Sequence, residues 1–228
     1  MGQLPARRVT PSRAFLHSGV DYAGPFSVKT IRGRGGKIFK GYIAVFIWFS
    51  TGAIHLELVS DYSAEAFIAA YKRFSGRRGI PATITSDCGT NLVGADRELR
   101  SLWKKVANSL ANDGTEWKFN PPSAPHFGGK WEAAVKSVKF HLRHVIGNTA
   151  LTFEEFSTLL SQIEAVLNSR PLCPLTDDPS DIGALTPGHF LTGAALTTVP
   201  EPDLSDVPTS RLSRWQLLKQ FVDHLWMR

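Results

Sequence analysis

The sequence predicts an α/β protein: a five-stranded mixed sheet flanked by helices. Three observations predict it. Strand-length apolar runs come first, the hydrophobic period becomes helical at Phe67, and short strands then alternate with helices.

Residues 1–13 are basic and contain proline, and read as an arm or linker. An extended run follows from Phe15 to Val28, with Ala23-Gly24-Pro25 as a turn signal. The Gly-rich basic segment Arg32 to Lys37 reads as a hairpin tip. Tyr42 to Phe49 is a continuous apolar run, which fits a strand buried on both faces. Ile54, Leu56 and Leu58 alternate with His55 and Glu57, the pattern of a half-buried strand. Phe67, Ile68, Tyr71 and Phe74 then fall at helical spacing, closed by Arg77-Arg78-Gly79 with Pro81 beyond. Ala82 to Ser86 is a short strand that delivers Asp87 at its end. Leu99, Leu102, Trp103, Val106 and Leu110 mark a second helix, and Glu116 to Asn120 a fifth strand. After the loop SAPHFGG, a helix is expected from about Lys130 to Ile146. Thr152 and Glu155 form a capping box that opens another, through Phe156, Leu159, Leu160, Ile163 and Leu167. Residues 197–209 hold three prolines and three acids and read as a linker. An amphipathic helix from Leu212 to Trp226 shows no partner within the sequence. The expected division is an arm at 1–13, a core at 14–195, a linker at 196–210, and the start of a further domain at 211–228.

Composition bounds the function. The chain has 228 residues, 43% of them hydrophobic and 20% charged, as in a soluble globular protein. No apolar stretch reaches the ~20 residues of a membrane span, and no signal-peptide run opens the chain, so an intracellular protein is expected. Two cysteines, Cys88 and Cys173, exclude a disulfide framework, and no C-x-x-C offers a zinc site. Net charge is +6, and residues 1–40 hold eight basic side chains against the single acid Asp21. A polarised basic end suits a polyanion. It also suits a solvated tail, and charge alone leaves both open.

Three acids stand out by position. Asp21 lies in the middle of the first strand, Asp87 at the end of the fourth, and Glu132 on the first turn of a helix. Singly, each has an ordinary explanation: a turn residue before Gly-Pro, a cap, a charge at the positive end of a helix dipole. Together, a sheet centre, a strand end and a helix start can converge. Three converging carboxylates repel unless divalent cations neutralise them, and hard oxygen ligands favour Mg²⁺ or Mn²⁺. Two such ions serve in-line phosphoryl transfer.

The helix that carries Glu132 adds a second pattern. At 100° per residue, Glu132, Lys136, Lys139 and Arg143 lie within about 60° of one another. Trp131, Val135, Val138, Leu142 and Val145 occupy the opposite side. A basic ridge beside a carboxylate suits a DNA backbone, although a solvated face with an i,i+4 pair would look the same.

The segments HSGVDYAGPF, SDCGTN, FNPPSAPHFGGKWEAAVKSVK, LNSRPL and LTPGHFLTG closely resemble the integrase of BEL/Pao-type long-terminal-repeat retrotransposons, in order from about residue 15 to 195. The terminal SRLSRWQLLKQFVDHLW resembles the start of the domain that follows integrase in those polyproteins. The resemblance implies a ribonuclease H-like fold and a D,D,E triad of Asp21, Asp87 and Glu132 that binds two Mg²⁺ or Mn²⁺ ions. It implies that Lys136 and Lys139 contact the element's DNA ends. Arg143 on the same ridge, His126 in the SAPHFGG loop and Asn91 beside the second acid join them as DNA-contacting candidates. Element ends and target DNA are the implied partners, with a homo-oligomer, no membrane and no small-molecule cofactor. The nucleus is the implied place of joining.

Two departures bear on activity. Cys88 stands where the family usually has Asn after the second Asp, and the His-His-Cys-Cys zinc domain that normally precedes the core is absent from this sequence. Three functions are therefore expected in descending order. An active integrase comes first, then a host-retained or decayed copy that binds DNA without catalysis. A ribonuclease H is third, for which Glu65 is a poorly placed fourth acid.

Overall fold

A computed structural model describes residues 9–33, 35–86, 105–111, 113–119, 129–147, 149–178, 180, 182–197, 202–204, 207–208 and 211–227. By their contacts the residues group into two compact units, one of 1–26 with 40–136, the other of 27–39 with 137–228.

The first unit is organised by strands in the order β3-β2-β1-β4-β5: β1 (His17–Lys29), β2 (Ile38–Trp48), β3 (Ile54–Val59), β4 (Thr83–Ser86) and β5 (Glu116–Phe119). β3 runs antiparallel to β2, while β4 runs parallel to both β1 and β5. The strand bounds fall within two residues of the expected runs except in β2, which starts at Ile38, four residues before the run at Tyr42. The Ala23-Gly24-Pro25 signal makes no chain reversal; β1 passes straight through it. β1 and β2 meet across the expected tip, where the Thr30 amide donates to Lys37 O at 2.9 Å.

Helix α1 (Ala64–Arg78) starts where Ser63 Oγ accepts from the Ala66 amide and buries Phe67, Ala70, Tyr71 and Phe74. Phe46 of β2 stacks on Phe74 at 4.2 Å, and Phe67 meets Trp117 of β5 edge-on at 5.6 Å. Thr115 links two further segments. Its hydroxyl contacts the Tyr71 hydroxyl at 2.7 Å and donates to Pro81 O at 2.8 Å. The helical residues 105–111 bury Val106 and Leu110 completely.

β3 departs from expectation. It is buried on both faces, including His55 and Glu57. The reason is α1, which covers the polar face with arginines. Arg73 Nε donates to Glu57 Oε2 at 2.7 Å, Arg77 also reaches the carboxylate, and His55 Nε2 shares its other oxygen at 3.0 Å. Burial alone would raise the Glu57 pKa, but hydrogen bonds and charge from His55 and Arg73 outweigh it and hold it below its ordinary value.

In the second unit, the end of β1 continues as Val28–Lys29, beside which β6 (Leu151–Thr152) pairs in parallel. This makes a six-stranded sheet where the sequence predicted five, because a two-residue bridge is too short to carry a period. Helix α2 (Gly129–Ile146) runs from the first unit into the second. Helix α3 (Phe153–Asn168) opens with the predicted capping box: Thr152 Oγ1 accepts from the Glu155 amide, and Glu155 Oε2 from the Thr152 amide at 2.9 Å. A small ribbon, β7 (Cys173–Pro174) with β8 (Ala184–Leu185), leads to α4 (Pro187–Thr192). Helix α5 (Arg214–Trp226) packs on α3 and buries Leu218, Phe221 and Leu225. Among the described residues no helix is long and apolar enough to cross a membrane.

Candidate active site

β1 sets the position of Asp21 through its alternation. Residues two apart in a strand share a face. The Tyr22 ring packs against Phe67 of α1 at 6.1 Å and against Tyr62 at 4.6 Å, so Val20 and Tyr22 face α1. Gly19 and Asp21 take the other face. There Gly19 meets Trp131 of α2, closely enough that a Cβ on Gly19 would lie 2.6 Å from Trp131 Cε3. The indole is buried against Phe49, ring centres 6.0 Å apart, and the Lys130 ammonium donates to Phe49 O. Glu132 follows Trp131 directly and is exposed in the first turn of α2. One face of β1 therefore carries Asp21 and also seats the residue next to Glu132.

Asp21 is half-buried, and its Oδ1 accepts from the Tyr22 amide at 2.7 Å. Its charge reaches Tyr62. Burial raises the Tyr62 phenol well above its ordinary value, and the negative potential of Asp21 and the neighbouring Tyr42 push it the same way.

Beside this strand, Ser86 at the end of β4 is the register partner of Val20. The residues before Asp21 and before Asp87 thus stand side by side. Asp87 itself lies outside the described residues, as do Asn91, His126 and Cys88. Among the described residues, which do not include Asp87, no three His, Cys, Asp or Glu side chains are grouped as a metal ion would require. The two described carboxylates, half-buried Asp21 and exposed Glu132, are hard oxygen donors of the kind Mg²⁺ and Mn²⁺ take.

The basic ridge on α2 has the predicted division of faces. Lys136 and Arg143 are exposed and Lys139 half-exposed, while Trp131, Val135, Val138, Leu142 and Val145 are buried. None of the three basic residues forms an ion pair with a described carboxylate. The sequence patterns above do not single out Gly19, Lys130 or Tyr62 as site-building residues. A glycine inside an apolar strand was the available signal for Gly19, since it marks a close approach.

No family model matches this chain, and no curated protein matches it. Among solved structures it is similar to a chain in the cryo-electron-microscopy structure of the simian T-cell lymphotropic virus intasome in complex with PP2A regulatory subunit B56 gamma. The identity is 17% and the TM-score 0.49, over 88% of this chain and 63% of that one. The present chain thus spans less than two thirds of the length of that neighbour.

Proposed function

We propose that this chain is the catalytic core of a retroelement integrase of the BEL/Pao type, a DNA-joining polynucleotidyl transferase that requires Mg²⁺ or Mn²⁺. The observation that carries this is the contact between Gly19 and Trp131, which seats the start of α2 on the face of β1 that bears Asp21. One ring against one bare Cα supports this reading, because it packs the residue beside Glu132 against the strand that carries Asp21. The strand order β3-β2-β1-β4-β5 is compatible with the ribonuclease H-like fold that the motifs imply.

Asp21, Glu132 and, on the motif, Asp87 would hold the metal ions. Such ions would supply activation of the attacking oxygen and stabilisation of the leaving one. The protein's own part is to hold the DNA. Lys136, Lys139 and Arg143 grip the phosphates of an element end and fix its register, while base-independent contacts leave sequence choice to other groups. His126 and Asn91 are assigned to the same DNA on their motifs. The active form would be a homo-oligomer on two element ends and target DNA, working in the nucleus.

The test is strand transfer with oligonucleotides that carry the element's own ends. The parent chain should give joined product only with Mg²⁺ or Mn²⁺, and Glu132→Gln should lose it by several orders of magnitude while still binding DNA. A parent that binds the oligonucleotides but joins nothing with either ion would be a DNA-binding relic and not an enzyme.

A further inference from the structure

Helix α2 displays one large apolar side chain on its outward face. Phe140 is 51% exposed. The His144 ring lies beside it, centroids 4.2 Å apart and tilted by 44°, and is held there because its Nδ1 donates to Phe140 O at 2.8 Å. The His141 ring stands edge-on to the phenyl ring at 5.5 Å. Lys139 and Arg143 stand on the same outward arc, without an ion pair to any described carboxylate. An exposed aromatic pair beside cations that form no ion pair with a described carboxylate fits a ligand with both phosphates and flat rings.

We propose that the exposed Phe140 ring, braced by His144, is a stacking platform for an unpaired DNA base, with Lys139 and Arg143 holding the adjoining phosphates. The occupant rests on the integrase reading, since an element end offers both a duplex and frayed or trimmed single-stranded nucleotides. Charge complementarity selects nucleic acid over an apolar protein surface, because docking an apolar surface here would bury two cations without partners. Stacking selects an unpaired base over a paired one, because a base inside a duplex presents only its edge. Eight residues of helix separate Phe140 from Glu132, roughly 12 Å of rise.

Fluorescence anisotropy with two labelled probes tests this on the full chain: a blunt duplex, and the same duplex with a single-stranded thymidine overhang. Phe140→Ala should weaken binding of the overhang probe roughly five- to hundredfold. It should leave the blunt probe and the salt slope unchanged, because stacking releases no counterions. Phe140→Trp should restore the affinity. Equal affinity of parent and Phe140→Ala for the overhang probe would overturn the platform, as would an equal loss on both probes. A shift of Phe140→Ala from oligomer to monomer on size exclusion would assign the face to a second copy instead. Binding needs no chemistry, so the two proposals fail separately. Loss of the overhang preference with metal-dependent joining intact removes only the platform. An intact preference without joining removes only the enzyme.

Discussion

Gly19 and Trp131 are in contact so close that a single methyl group between them would lie 2.6 Å from the indole, with Phe49 and Ile47 at 3.0 and 3.1 Å. Trp131 is buried and cannot swing away. Gly19→Ala should therefore overpack the interface and cost about 1–3 kcal/mol, read as a lower denaturation midpoint. On the integrase reading it should also reduce strand transfer beyond what the lower stability explains, because the start of α2 is displaced from Asp21. A variant as stable as the parent would show that the packing there is loose.

Divalent metal gives a second prediction. Mg²⁺ or Mn²⁺ bound only by the folded state should raise the melting temperature of the parent. Asp21→Asn retains an oxygen that can accept from the Tyr22 amide but loses the carboxylate charge. It should keep its fold and lose most of the thermal shift. An equal shift in both proteins would remove Asp21 from any metal site.

The ridge on α2 is tested by salt. Lys136→Glu combined with Lys139→Glu should weaken DNA binding and lower the slope of log K against log salt by roughly 0.9 for each phosphate no longer neutralised. Folding should persist, because neither side chain is buried. An unchanged affinity and slope would make the ridge an ordinary solvated face.

Glu155 links three segments of the second unit and predicts a pH dependence. Its side chain is 1% exposed, yet Arg214 donates to both oxygens at 3.0 and 3.1 Å, and Arg32 stands 3.2 Å away. Burial alone would raise its pKa, but Arg214, the Thr152 amide and the charge of Arg32 together hold it below the ordinary value. The charged form is thus favoured on folding. Its contribution is complete above the unfolded carboxyl value of about 4.3 and is lost as pH falls through the lower folded value. Arg214→Ala should cost about 3 kcal/mol at neutral pH, since it strands a buried carboxylate. Arg32→Ala should cost under about 1 kcal/mol, since Arg32 is largely in water. Hydrogen exchange in α5 at pH 7 should show Arg214→Ala far more open than Arg32→Ala. Glu155→Gln should flatten the acid limb of the parent's stability curve.

The order and kind of the main elements were determined by the sequence alone, because their causes are local. The alternation that put Asp21 inside a strand, the spacing of Phe67, Tyr71 and Phe74, and the Thr152–Glu155 box all act within a few residues. The two faces of α2 were legible for the same reason. Tertiary structure decided what depends on distant partners. Polar residues in β3 read as solvent-facing until α1 laid Arg73 and Arg77 over Glu57. Helix α5 had no visible partner until Arg214 met Glu155, 59 positions away. The start of α2, with Glu132 on its first turn, packs on the face of β1 that bears Asp21 through distant contacts of Trp131 and Lys130, and Gly19 leaves the room that Trp131 needs.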